Sequence, residues 1–106
     1  MAEPPGGFTP YVLEYSGRVQ DELTALIVRA RIHGRHSPLV TAARTVDYRL
    51  RVYPQSGQPL RDLVGAAGQL WVGVVPPLVV HYVIFEERRL VSVALPLKLM
   101  RGYDIG

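Results

Sequence analysis

The stretch Leu70–Phe85 is the most apolar part of the chain, and it is broken at Gly73, at Pro76-Pro77 and at His81. Its uninterrupted pieces fall far short of the roughly 20 residues a helix needs to cross a bilayer. They are also too apolar to be left in water, and pieces this short between turn signals read as buried strands. The pattern predicts one strand over Gln69–Val75, a turn at Pro76-Pro77 and a second strand over Leu78–Phe85. After the charged tip Glu86-Glu87-Arg88-Arg89, Val91, Val93, Leu95, Leu97 and Leu99 alternate with Ser92, Ala94, Pro96 and Lys98, which predicts a third strand. Short turns join the three into an antiparallel meander, and Pro96 assigns the last strand to an edge or a bulge.

The first half of the chain has a different period. Tyr11-Val12-Leu13-Glu14-Tyr15 is a run of β-formers that stops at Ser16-Gly17. Ser16 is suited to cap a helix whose apolar stripe is Val19, Leu23, Leu26, Ile27 and Ala30, ending near Arg31 to Gly34. Ser37-Pro38 is a second start signal, with Ser37 as the cap and Pro38 at the first helical position. The stripe that follows, Leu39, Ala43, Val46, Leu50 and Tyr53, runs to Pro54, which disfavours helix at Tyr53. Asp47 and Arg51 stand four apart, as an ion pair across one turn requires. A short link through Gly34 makes these two helices an antiparallel hairpin. Pro54–Pro59 reads as a loop leading into Leu60-Arg61-Asp62-Leu63, with a further break at Gly65–Gly68. The predicted class is α+β in the order β-α-α-β-β-β: a disordered lead-in over 1–10, one domain over 11–101 and a tail over 102–106.

Composition narrows the chemistry. The 106 residues, 48% hydrophobic, furnish one core and not two. There is no cysteine, which removes disulfides, Cys-ligated metals and thiol nucleophiles. The net charge is +3, carried by eleven arginines and one lysine, Lys98. From Glu14 to Asp62 eight arginines meet five acids, while the rest of the chain balances. Guanidinium groups suit phosphate or carboxylate recognition, and an arginine-favouring codon usage gives the same count. His33 and His36 lack the carboxylate that would complete a metal set, so no metal site is assigned. Ser16, Ser37, Ser56 and Ser92 have neither a matched base nor a strained turn, which leaves a serine hydrolase without support. His81, alone among apolar strand residues, is suited to proton transfer or to an interface. Trp71 reads as core or as a partner contact.

Several of these segments together resemble the RelE/ParE superfamily, the toxin half of bacterial type II toxin–antitoxin modules. They are Tyr15-Ser16 opening the first helix, Leu50-Arg51-Val52-Tyr53-Pro54 closing the second, and then Gly57 and Pro59-Leu60-Arg61-Asp62-Leu63. Pro77-Leu78-Val79-Val80-His81-Tyr82-Val83-Ile84, turning through Glu86-Glu87 into Leu90-Val91-Ser92-Val93, completes the set. The helix end and the Pro-Leu-x-Val-x-Tyr-type strand look nearer the ParE-like side, and the resemblance covers about Tyr11 to Arg101.

The resemblance implies a cytoplasmic α+β toxin without cofactor or membrane anchor, of the kind linked to plasmid stabilisation, clamped by an antitoxin protein. Its target would be gyrase for a ParE-like member, or the ribosome and its mRNA for a RelE-like endoribonuclease. A degenerate interaction domain and a homodimer are further readings. The strands where nuclease members carry lysine and arginine read Gln69–Val75 and Leu78-Val79-Val80 here, with no basic residue. Only Lys98, Arg101 and Tyr103 resemble the family's closing catalytic group. Arg44, Arg51, Arg61, Trp71 and His81 are then the candidate partner-binding residues.

Overall fold

A computed structural model describes residues 10–34 and 36–100. Strand β1 (Val12–Tyr15) leads into helix α1 (Gly17–Ile32), and helix α2 (His36–Val52) follows. A single 3-10 turn, Pro54–Ser56, precedes strands β2 (Gln58–Asp62), β3 (Gln69–Val75) and β4 (Leu78–Phe85). A second 3-10 turn, Glu86–Arg88, leads to β5 (Leu90–Val93) and β6 (Lys98–Leu99). The six strands make one mixed sheet in the order β1-β5-β4-β3-β2, with β6 paired to β4. β1 lies parallel to β5, and the other pairs are antiparallel. This is the expected α+β class with two helices on a sheet. The lead-in through residue 9 and the tail from residue 101 lie outside the described residues.

Ser16 caps α1 as its position predicts: its hydroxyl accepts the Val19 N–H at 3.1 Å. α2 opens at His36, before the expected cap at Ser37, whose side chain lies outside the described residues. The stripes bury Val19 and Ala30 from α1 and Leu39, Ala42, Val46 and Leu50 from α2. Tyr53 is not part of that stripe; the helix ends at Val52 and the ring is 60% exposed. The helices meet the sheet on one face only. β4 alternates along its length, with Leu78, Val80, Tyr82 and Ile84 buried and Val79, His81, Val83 and Phe85 half-buried. Val91 and Val93 of β5 and Leu13 of β1 complete the floor under the helices.

The sheet corrects the sequence reading twice. Gln58–Asp62, where the sequence reads as loop at Gln58-Pro59 and assigns Leu60-Arg61-Asp62 no element, is the edge strand β2, pairing with β3 through a bulge between Pro59 and Arg61. It buries no side chain, so it shows no apolar alternation and its only warrant is the backbone ladder. The third strand of the meander is in fact two. β5 stops at Val93 and the chain leaves the sheet around Pro96, because proline offers no donor to a ladder. It returns as β6, on the same side of β4 as β5 but beside Leu78 and Val79. Among the described residues, no helix is long and apolar enough to cross a membrane.

Candidate functional site: the uncovered sheet face

Residues opposite one another in neighbouring strands share a face, so the pairing registers map the side of the sheet that carries no helix. One row runs Val74, Val79, Lys98. The next is Gln58, Val72, His81. A third crosses the whole sheet as Arg61, Leu70, Val83, Ser92 and Glu14, and a fourth holds Phe85, Leu90 and Val12. The centre of this face is apolar and half-buried by its own neighbours, with polar groups spaced around it. Arg88 lies over the Phe85 ring, 5.4 Å from its centroid, with its side chain exposed.

The predicted residues fall into three groups. His81 and Lys98 come together: Lys98 is opposite Val79, two residues from His81 on the same face of β4, a diagonal of about 7–8 Å between backbones. Arg61 is on this face too, opposite Leu70 on the edge strand. Trp71 is on the other face, opposite Tyr82, where it packs against the core and donates from Nε1 to Gln69 Oε1 at 2.9 Å. Arg44 and Arg51 point outward from α2, on the far side of the molecule from His81. Arg51 pairs with Asp47 at 2.9 Å, as the four-residue spacing predicts, and Asp47 also accepts from the Tyr15 hydroxyl at 3.0 Å. That hydrogen bond from Arg51 to Asp47 raises the arginine's pKa, and burial with the adjacent carboxylate pushes the Tyr15 phenol well above its usual range. Arg101 and Tyr103 lie outside the described residues, so of the expected closing group only Lys98 is placed.

Sequence reasoning missed a polar cluster that ties three distant segments together. The Tyr11 hydroxyl donates to Glu86, Gln55 Nε2 donates to both the Tyr11 oxygen and Glu86 Oε2 at 2.8 Å, and the Arg89 guanidinium lies 4.2 Å over the Tyr11 ring. Burial raises the Tyr11 pKa, and the Glu86 carboxylate adds to the rise. The cluster joins the strand entry, the 3-10 turn after α2 and the β4–β5 tip, and nothing local in the sequence marks it.

Chemically, the uncovered face is an apolar platform bearing the His81 imidazole, the Lys98 ammonium, the Arg61 guanidinium and the Glu14 carboxylate, with the Arg88 guanidinium over Phe85. Among the described residues no group of three or more His, Asp or Glu side chains is placed to hold a metal ion. Spaced cations on valine and leucine suit an amphipathic partner, which can satisfy both at once.

No family model matches the sequence, and no curated protein matches it. Two solved structures are similar. One is the RelE–RelB complex of the archaeon Pyrococcus horikoshii, at TM-score 0.56 and 14% identity over 88% of this chain and 98% of the other. The second is the toxin–antitoxin complex RelBE2 of Mycobacterium tuberculosis, at TM-score 0.51 and 17% identity over 88% of this chain and 94% of that one. Identities this low carry the architecture and not the chemistry. With a helical hairpin on one face of a mixed sheet and, among the described residues, no helix on the other, the chain has the fold of a RelE-type toxin.

Proposed function

We propose that this chain is the toxin of a type II toxin–antitoxin module, acting in the cytoplasm by binding its target, and neutralised by an antitoxin that covers the same surface. The observation that carries the reading is the uncovered sheet face, with apolar Leu70, Val72, Val79 and Val83 at its centre and, among the described residues, no helix packed over them. An apolar sheet face of this extent is an interface awaiting a partner. The sparse cations favour binding over phosphate chemistry, because metal-free RNA cleavage needs several groups around the scissile phosphate. Gyrase is the target that the ParE-like side of the resemblance suggests.

The juxtaposition of His81 and Lys98 supports a second reading, a ribonuclease in which His81 moves a proton and Lys98 faces the phosphate, with Arg101 and Tyr103 completing the set. One experiment separates the two. Induced expression in a bacterial host arrests growth on either reading. If growth is arrested, His81→Ala and Lys98→Ala weaken target binding for a binding toxin, with no cleavage to lose, and abolish mRNA cleavage for a ribonuclease. Primer extension on cellular mRNA then reveals codon-registered cuts only in the second case. Unimpeded growth overturns both and leaves a degenerate interaction domain.

A further inference from the structure

Along the outer side of α1, away from its buried stripe, Arg18, Glu22, Ala25, Arg29 and Ile32 recur at alternating steps of four and three. That spacing is one line along a helix. Ile32 is 73% exposed and Val28 alongside it is 49% exposed, a large apolar display for a helix already packed on its other side. Leu97 walls one flank of the line. Between wall and helix lies an open hollow of about 330 Å³, lined by Glu22, Ala25, Leu26, Arg29 and Leu97. Glu22 fixes the wall by accepting the Leu97 N–H at Oε1, at 3.1 Å. Arg18 and Arg29 carry no ion pair among the described residues.

The line is complementary to itself when reversed. Laid antiparallel about Ala25, Ala25 meets Ala25, Glu22 meets Arg29 twice, and the aliphatic stem of Arg18 covers Ile32 twice. A parallel arrangement would set Arg29 on Arg29 and Glu22 on Glu22. The small residue at the centre lets the two axes approach closely, as side-chain size at the crossing sets the distance. We propose that α1 joins two copies of this chain through this antiparallel seam, as an isologous two-fold dimer. A second copy is favoured over a foreign helix because the chain itself supplies every complement the seam asks for. Sixteen helical residues span about 24 Å, which places the contact at the small end of specific interfaces and makes it weak and concentration-dependent. The dimer is independent of toxicity and leaves the uncovered sheet face accessible.

Sedimentation velocity on the full chain over a wide concentration range tests it. Wild type shifts from monomer to dimer. Glu22→Arg and Arg29→Glu each turn two attractions into two repulsions and raise the dissociation constant at least about tenfold. Mixed in equal amounts, the two monomeric variants present only opposite charges to each other, and dimer returns as the heterodimer. Circular dichroism of each variant separates loss of association from loss of fold, and Ala25→Gln, which keeps the helix but parts the axes, weakens the dimer without touching charge. A wild type that stays monomeric overturns the proposal, as does a mixture that fails to reassociate. So does a monomeric wild type whose Glu22→Arg variant instead loses a co-expressed antitoxin, which would give the seam to that partner's helix.

Discussion

Tyr82 shows how one buried hydroxyl joins the helical half of the chain to the sheet. It lies on the helix-facing side of β4, is 1% exposed, and its phenol donates to the Pro54 carbonyl at 2.5 Å. Tyr82→Phe strands that carbonyl and is expected to cost about 1–3 kcal/mol, read from urea unfolding. Burial pushes the phenol up to about 12, against 10.0 in an unfolded chain. Because the folded state holds its proton more tightly, this contribution is present in full below pH 10 and is lost as pH rises toward 12. Unfolding titrations should therefore show stability falling over that window, with a shallower fall in Tyr82→Phe. Gly57 belongs to the same joint. A Cβ there would stand 2.4 Å from both the Tyr82 hydroxyl and the Val72 carbonyl, and backbone cannot give way cheaply. Gly57→Ala should destabilise strongly, whereas Gly17→Ala, with nothing within 4 Å, should be tolerated. The sequence marked both residues as parts of a resemblance. Their contact was not legible, because it is made across 25 residues of chain by a turn no periodicity describes.

The elements that could be read were those whose burial leaves a period. α1 is the clearest, and Ser16→Ala should cost about 1 kcal/mol in thermal or urea unfolding by leaving the Val19 N–H without its acceptor. β3 and β4 were legible to the residue, since each is bounded by glycine or proline and dense in β-branched side chains. β2 was not, because Gln58–Asp62 is exposed along its length and has no inward side to betray it. The break after β5 was hidden for the opposite reason. Leu95, Leu97 and Leu99 continue the alternation of Val91 and Val93 past the point where hydrogen bonding stops, and apolar alternation alone cannot report which strand a residue pairs with. Leu97 instead lies against α1, held there through its N–H by Glu22.

Across the whole molecule the proposed function assigns stability to one sheet face and recognition to the other. Leu39→Ala, in the fully buried layer under the helices, should cost about 2–5 kcal/mol in equilibrium unfolding. Val72→Lys on the uncovered face should cost about 1 kcal/mol or less while abolishing growth arrest and antitoxin binding. A Val72→Lys chain that stays folded and fully active would refute that face as the working surface. The candidate site was half legible: the residue types were visible in the sequence, but which of them meet is set by register. His81 and Lys98 come together only because β6 pairs with β4, and Trp71 turns inward only because it is opposite Tyr82. The parallel pairing of β1 with β5 adds a matter of timing. Val12 to Tyr15 leave the ribosome early, yet their seat is built from Leu90 to Val93, so the first strand to be made must wait for nearly the last before the sheet can close. Until then it is tied only to the helical half, through the Tyr11 N–H on the Arg51 carbonyl, Gln55 on the Tyr11 hydroxyl and the Tyr15 hydroxyl on Asp47, and the nascent protein carries an unfinished edge through most of its own synthesis.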